Sequence, residues 1–463
     1  MQLTPDIGAD ETGLEGRLFA RLDRRLRRDD DRPVVLALSG GGDSVALLRL
    51  AADWAEARGR PLLALTVDHR LNPDSAAWTR FAGEAARASG ADWRALAWDG
   101  EKPSVGLTAA ARAARHRLIA EAAREAGARV VLFAHTADDI AEADLMRAEG
   151  STLGRVREWS PSPVWPEGRG LMLLRPLLEE RRETLRAWLA VQGADWIEDP
   201  ANVDPRFGRS RARRALAGTM GETMGGTIPA AARGTDEAVA GGGDIEVDED
   251  EGAVRVARPV RGRAMAAALV CVGGGATPPR GDRLERLVER LRAGEDFTAV
   301  LCGARVEARG EAVLILREAG ELARRPPAPL ALRPGVEAVW DGRFVFKARE
   351  AGWSVVPARG RLSSLSEADR RVIRSLPPAG RGAVPVLVRD GETAPVLASP
   401  EVKRRGLVAE RLRLAVDETT HEDDLIHPPN GVKPRKLLFS VTDNPDRGLN
   451  PGKRTTEDFN EPA

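Results

Sequence analysis

Residues 36 to 44 read LALSGGGDS, and residues 45 to 57 resume as VALLRLAADWAEA. Three glycines, two hydroxyls and a carboxylate are thus packed into one turn between a strand-like run and a run with helical spacing. The glycines admit backbone conformations and close approaches that a Cβ would block. Successive N–H groups in such a turn form an anion-binding nest, and the helix that follows adds its positive N-terminal end. Ser39 and Ser44 can donate to phosphate oxygens. Asp43 would repel phosphate unless a cation stood between them, so the stretch Ser39, Gly40, Gly41, Gly42, Asp43, Ser44 predicts a polyphosphate carried with Mg2+ on Asp43. It is neither GxxxxGK[ST], which needs a lysine, nor GxGxxG.

Working outward, short β-rich runs VVLAL (34–38), LLALTV (62–67), WRALAW (93–98) and RVVLFA (129–134) alternate with Ala-rich helical segments at about 44–58, 75–89, 107–126 and 137–149. Gly59, Gly90 and Gly127 stand where helix C-caps belong. Strand–helix alternation of this length predicts an α/β, parallel-sheet, Rossmann-like domain with helices on both faces. Ligands in such folds sit at the carboxyl ends of the strands, which is where SGGGDS falls.

Composition bounds the rest. The chain has 463 residues, too many for one core, with 70 basic and 70 acidic side chains and no net charge; nothing global points to nucleic acid or to a membrane surface. Arginine greatly outnumbers lysine and tyrosine is missing, a pattern that codon bias explains. Cys271 and Cys302 make neither a CxxC nor a zinc quartet and suggest no disulfide framework. No run approaches the ~18 apolar residues of a membrane span, and the N-terminus lacks a basic-then-apolar signal. The expectation is a cytoplasmic enzyme without a membrane.

LALSGGGDSVALL resembles the PP-loop of the N-type ATP pyrophosphatases, and four later motifs resemble one branch of them, the tRNA(Ile)-lysidine synthetases. LTVDHRLNPDSAAW (65–78) is similar to their VDHGLRxxS stretch, AAARAARHRLIAEAA (109–123) to their ARxxRY helix with His116 in the tyrosine place, and FAHTADDIAEADLMR (133–147) to their HxxDDQAET helix. WIEDPANVDPRFGRSRARRAL (196–216) resembles EDPSNxDxxFxRxRxR, with LLRPLLEERRETLRAWL (173–189) lying before it. The resemblance covers residues 33–216. Two departures stand out: Ile140 holds the usual Gln place, and the stretch after Arg147 lacks most of the usual Gly-rich run.

The resemblance implies ligation of L-lysine to C2 of the wobble cytidine in the CAU anticodon of isoleucine tRNA, with ATP adenylating the cytosine oxygen first. Asp139 and Glu142, three apart and so on one helical face, would bind the lysine. Arg115 is a candidate for its carboxylate or for a tRNA phosphate. Free lysine's amine titrates near ~10.4, and flanking carboxylates favour the ammonium, which cannot attack. His135, an acid freed by adenylation, and the AMP phosphate are the candidate proton acceptors. Arg206, Arg209, Arg211 and Arg213, with Arg214, form a cluster suited to RNA phosphates.

The expected organisation is a leading segment at 1–32, a PP-loop catalytic domain at 33–216, a flexible connection at 217–257, then smaller α+β domains at 258–323 and 331–416, and a structureless tail at 417–463. The appended domains suggest the long form of the family, in which they bind the tRNA body; a homodimer contact is the alternative use. Two rival functions remain. One is another PP-loop tRNA-modifying enzyme, such as a thiolase, which the cysteine-free catalytic domain disfavours. The other is a tRNA-binding relative with a degenerate site, which the intact loop disfavours.

Overall fold

The computed structural model describes residues 13–150, 156–199, 208–220, 245–258, 260–279, 281–324, 326–416, 419–427 and 432–434. They fall into two compact units. The first comprises the described residues up to Arg317 with Val339–Val345 and those from Arg405 to Pro434, and the second comprises the described residues of Glu318–Ala338 and Phe346–Arg404.

The first unit opens with helix α1 (Leu14–Asp23) and continues β1 (Val34–Ala37), α2 (Gly42–Arg58), β2 (Leu62–Asp68), α3 (Ser75–Ala88), β3 (Asp92–Ala97), α4 (Leu107–Glu125), β4 (Val130–Leu132), α5 (Ala137–Ala148), β5 (Trp159–Pro161), β6 (Met172–Leu174), α6 (Arg182–Val191) and α7 (Gly208–Met220). The strands form one sheet in the order β3-β2-β1-β4-β6-β5. All neighbours run parallel except β5 against β6. Val34, Val35 and Leu36 of β1 are fully buried, as a central strand covered on both faces requires. The expected parallel α/β architecture is borne out.

Chain order reverses beside β1, whose neighbours are β2 and β4, so the crevice for a ligand opens past the carboxyl ends of β1 and β4. The helices that follow these two strands are α2 and α5, and both therefore start at that crevice.

Helix α1 was expected to lie in a leading segment; it is part of the first core. Leu18, Leu22 and Leu26, at helical spacing, are buried in the cluster that holds Leu36, Leu47 and Trp54. Arg21 donates to Glu180 Oε1 over 2.8 Å, and Trp54 Nε1 donates to Asp23 Oδ1 over 2.8 Å.

A second sheet follows in the same unit: β7 (Ile245–Asp248), β8 (Ala253–Ala257), then helices α8 (Gly262–Gly273) and α9 (Gly281–Arg292), then β9 (Phe297–Leu301), β10 (Ala304–Arg309) and β11 (Ala312–Arg317). Residues 245–257 were assigned from sequence to a flexible connection; they are a paired hairpin. Its tip DEDEG looks unstructured because it is acidic, yet Asp248 Oδ1 accepts from the N–H groups of Asp250 and Glu251, both over 2.9 Å. Gly252 completes the turn at φ +65°.

Part of the expected structureless tail is also ordered. Glu422, 1% exposed, takes the Arg60 guanidinium over 3.0 Å and the Arg27 N–H over 3.0 Å. Trp159 Nε1 donates to the Thr419 carbonyl over 2.8 Å.

The second unit carries an antiparallel three-stranded sheet from Leu330–Leu332, Trp353–Pro357 and Pro385–Arg389. Ser366 caps a helix over Glu367–Ser375 by accepting from the Asp369 N–H. Val356, Ile373 and Val386 form its core.

Candidate active site

The loop between β1 and α2 takes its shape from glycine and from a remote strand-like segment. Gly40 sits at φ +85°, and a Cβ there would come within 2.5 Å of Ile197 Cδ1. The Ile197 N–H donates to the Gly40 carbonyl over 2.9 Å, and Trp196 lies against Gly42, where a Cβ would meet its ring at 3.4 Å. Ser44 Oγ donates to the Gly41 carbonyl over 2.8 Å and stands 3.1 Å from Ser39 Oγ. Trp196 and Ile197 thus pack against the loop and bond its backbone.

At the second strand end, Thr136 caps α5. Its N–H and hydroxyl both donate to Asp139 Oδ2, over 2.9 and 3.2 Å, in a capping box. That box turns Asp139 inward, and Glu142, one helical turn further, is buried on the same face with 1% exposure.

A third helix end closes the site. Asp138 Oδ2 accepts from the Arg182 N–H over 2.8 Å, and the Ala137 N–H donates to the Glu180 carbonyl over 2.9 Å, so α6 starts against the start of α5. Arg182 then reaches three carboxylates. Its Nε donates to Asp43 Oδ2 over 3.1 Å and its Nη1 to Glu142 Oε1 over 3.2 Å, while Nη2 lies 3.8 Å from Asp139 Oδ1. Arg213 of α7 donates Nε–H to the same Glu142 Oε1 over 2.8 Å.

Among the described side chains, three carboxylates therefore meet two guanidinium groups, and two oxygens accept nothing. Asp43 Oδ1 and Glu142 Oε2 are buried and accept no hydrogen bond among the described residues. Burial is the largest influence on Asp43 and raises its pKa against the pull of Arg182, with Asp139 adding to the rise. Desolvation works against the Arg182 charge, but Asp43, Asp139 and Glu142 outweigh it and hold its pKa above the usual value. Among the described residues, the open oxygens of Asp43 and Glu142 are thus where an added cation would be stabilised. Asp43, next to two hydroxyls and the phosphate nest, fits Mg2+ arriving with a nucleotide, since that ion is commonly held by one or two carboxylates together with substrate phosphates.

The remaining predicted residues form a second group. His135 follows β4 and is buried, its ring 6.0 Å from that of Phe133. Phe133 stacks at 5.1 Å on His116. Burial, then Arg115, Arg112 and Arg175, push the His116 pKa down to about 3, so it is neutral. Burial and Arg115 also lower His69, whose ring meets Trp98 edge-on at 5.9 Å. Arg115 thus bears on both histidines.

Of the arginine cluster, Arg206 and the side chain of Arg209 lie outside the described residues, as do residues 151–155 after α5. Arg211 and Arg214 are exposed on α7. Arg213 donates inward to Glu142.

Sequence reasoning missed Arg182 and the Trp196–Ile197 clamp. One signal was available for Arg182: a cation in the first turn of a helix opposes the positive end of the helix dipole, and such a placement calls for nearby anions.

The PP-loop domain family matches residues 15–220. Three relatives each named tRNA(Ile)-lysidine synthase extend the likeness over most of the chain. The protein of Caulobacter vibrioides is 48% identical, covering 86% of this chain and 96% of its own length. That of Hyphomonas neptunium is 38% identical over 75% of this chain and 96% of its own, and that of Brucella anthropi 35% identical over 72% and 78%. With a PP-loop at the strand crevice and identity of this extent, the chain belongs to the tRNA(Ile)-lysidine synthase family and is an ATP-dependent ligase.

Proposed function

We propose that the crevice past β1 and β4 carries out both halves of lysidine synthesis. The nest at Ser39 to Ser44 holds the departing pyrophosphate of ATP, and Asp43 holds the Mg2+ that accompanies it. Mg2+ supplies charge neutralisation on the phosphates. In the first half, the cytidine O2 attacks the α-phosphorus and the bond to the β-phosphate oxygen breaks. In-line displacement of this kind depends mainly on positioning and electrostatics, which a preformed loop provides.

In the second half, the ε-nitrogen of L-lysine attacks C2, the C2–O bond breaks and AMP leaves with the oxygen. Asp139 and Glu142 receive the lysine ammonium. The observation that carries this reading is Glu142: it is 1% exposed, and its Oε2 accepts no hydrogen bond among the described residues although two arginines hold Oε1. A buried carboxylate oxygen in this condition favours a donor cation. Before attack the amine must lose a proton. His135, buried beside the crevice, remains the side-chain candidate, and the AMP phosphate is the substrate one. Arg115 is read as the partner of the lysine carboxylate or of a tRNA phosphate.

The exposed Arg211, with Arg206 and Arg209, is assigned to the tRNA backbone. Rejection of methionine tRNA with the same anticodon cannot rest on the anticodon, and we assign it to residues 258–416. No helix among the described residues is long and apolar enough to cross a membrane; a cytoplasmic location and a homodimer complete the proposal.

The test is incorporation of labelled L-lysine into isoleucine tRNA bearing CAU, with ATP and Mg2+. The expected result is one lysine per tRNA with release of AMP and pyrophosphate. AMP release without lysine transfer would point to another nucleophile, and tRNA binding without AMP release to a degenerate site.

A further inference from the structure

Arg182 lies at the junction of the two half-sites. Through one planar group it bonds Asp43, which belongs to the nucleotide loop, and Glu142, which belongs to the amine site. Its backbone N–H is bonded to Asp138, so any rearrangement at this position falls on its side chain, which is 14% exposed. Each of the two carboxylates gives one oxygen to Arg182 and keeps a second, buried oxygen that accepts nothing among the described residues. Glu142 is the sharper case, because Arg213 already shares its Oε1 over 2.8 Å.

The geometry points to Arg182 as a positioning residue that couples nucleotide binding at Asp43 to lysine binding at Glu142. This rests on the reading of Asp139 and Glu142 as the amine site.

A divalent cation on Asp43 competes with the Arg182 Nε for the same carboxylate. The phosphates that arrive with that cation are anions on the loop that contains Asp43, and they draw the guanidinium toward the loop. Arg182 then withdraws from Glu142, and the lysine ammonium meets a carboxylate with less of its charge neutralised. Nucleotide binding thus strengthens lysine binding. By linkage, lysine strengthens nucleotide binding by the same factor. A planar fork with donors at Nε and Nη can hold two carboxylates at once, whereas an ammonium on a flexible stem is a point charge. Lysine at position 182 would keep the charge without keeping the bridge.

The experiment is calorimetric titration of L-lysine into the full-length protein, with and without α,β-methylene-ATP and Mg2+. It is run on the native sequence and on Arg182→Gln, Arg182→Lys and Glu142→Gln, with a thermal melt of each. The native protein is expected to bind lysine at least about fivefold more tightly with the nucleotide, the lower end of usual coupling factors. In Arg182→Gln the ratio falls to about one, chiefly because lysine binds more tightly without nucleotide. Arg182→Lys, melting close to the native protein, also loses most of the ratio. An unchanged ratio in Arg182→Gln or Arg182→Lys, or a native ratio near one, overturns the coupling. In those cases loss of lysine binding in Glu142→Gln leaves the amine-site reading standing. If the native protein binds no lysine under either condition, or Glu142→Gln binds as it does, the amine-site reading falls and the coupling with it.

Discussion

Ile197 holds Gly40 in place: its N–H donates to the Gly40 carbonyl over 2.9 Å, and its Cδ1 fills the space a Cβ on residue 40 would need. The shape of the SGGGDS loop is therefore the joint product of that stretch and a motif more than 150 residues downstream. Gly40→Ala is expected to lower ATP affinity at least about fivefold, since φ +85° strains any residue with a Cβ at a cost of about 1–3 kcal/mol. Adding Ile197→Ala removes the clash but not the strain, so rescue should be partial. The ATP dependence of tRNA-stimulated pyrophosphate release measures both.

Arg60 and Glu422 form an ion pair whose side chains are 0% and 1% exposed. Removing one partner leaves the other charged and buried. Glu422→Ala is expected to destabilise the protein by about 3–5 kcal/mol, and a chain ending at residue 416 should show a loss of similar size. Urea unfolding of both variants checks this, and a loss below about 1 kcal/mol would mean that the C-terminal segment does not pack as described.

Glu180 gives a pH signature. Desolvation raises its pKa, but hydrogen bonds from Arg17 and Arg21 outweigh burial and hold it below the usual 4.5. A carboxyl whose folded pKa is depressed contributes stability that is present above the unfolded value and lost as pH falls through the folded one. Glu180→Gln should therefore cost more at pH 7 than at pH 3, because the contribution fades once pH falls below the unfolded value and toward the depressed folded one. Equilibrium unfolding at the two pH values gives the comparison, and a cost independent of pH would contradict it.

Cys271 is 1% exposed and burial pushes its thiol up to about 11, which makes it a poor nucleophile. Cys302 is also raised by burial. The double variant Cys271→Ala, Cys302→Ala is expected to retain lysine incorporation within about threefold, with any excess loss tracing to packing at Cys271. Thiol-dependent chemistry at either residue would instead abolish turnover.

Much of the site could be read before the fold was known because its parts are local. The nest is six consecutive residues, and Asp139 and Glu142 are one helical turn apart. Arg182 could not be placed this way: its partners lie 40 and 139 residues away, and only the convergence of three helix ends joins them. The hairpin at 245–257 was hidden by its acidic tip, whose order comes from side chain to backbone bonds at Asp248. The segment at 419–427 was hidden because it docks through one buried carboxylate and Leu425 rather than through a periodic apolar face.

Separating the two half-reactions shows whether one crevice adenylates with Asp43 and receives lysine on Glu142. Pyrophosphate release and labelled lysine transfer would be followed together on isoleucine tRNA for the native chain, Asp43→Asn and Glu142→Gln. Asp43→Asn is expected to lose both by at least about a hundredfold, the scale on which removal of a transition-state charge partner acts. Glu142→Gln should keep tRNA-dependent pyrophosphate release but lose lysine transfer. Lysine transfer in Glu142→Gln at the native rate would contradict it.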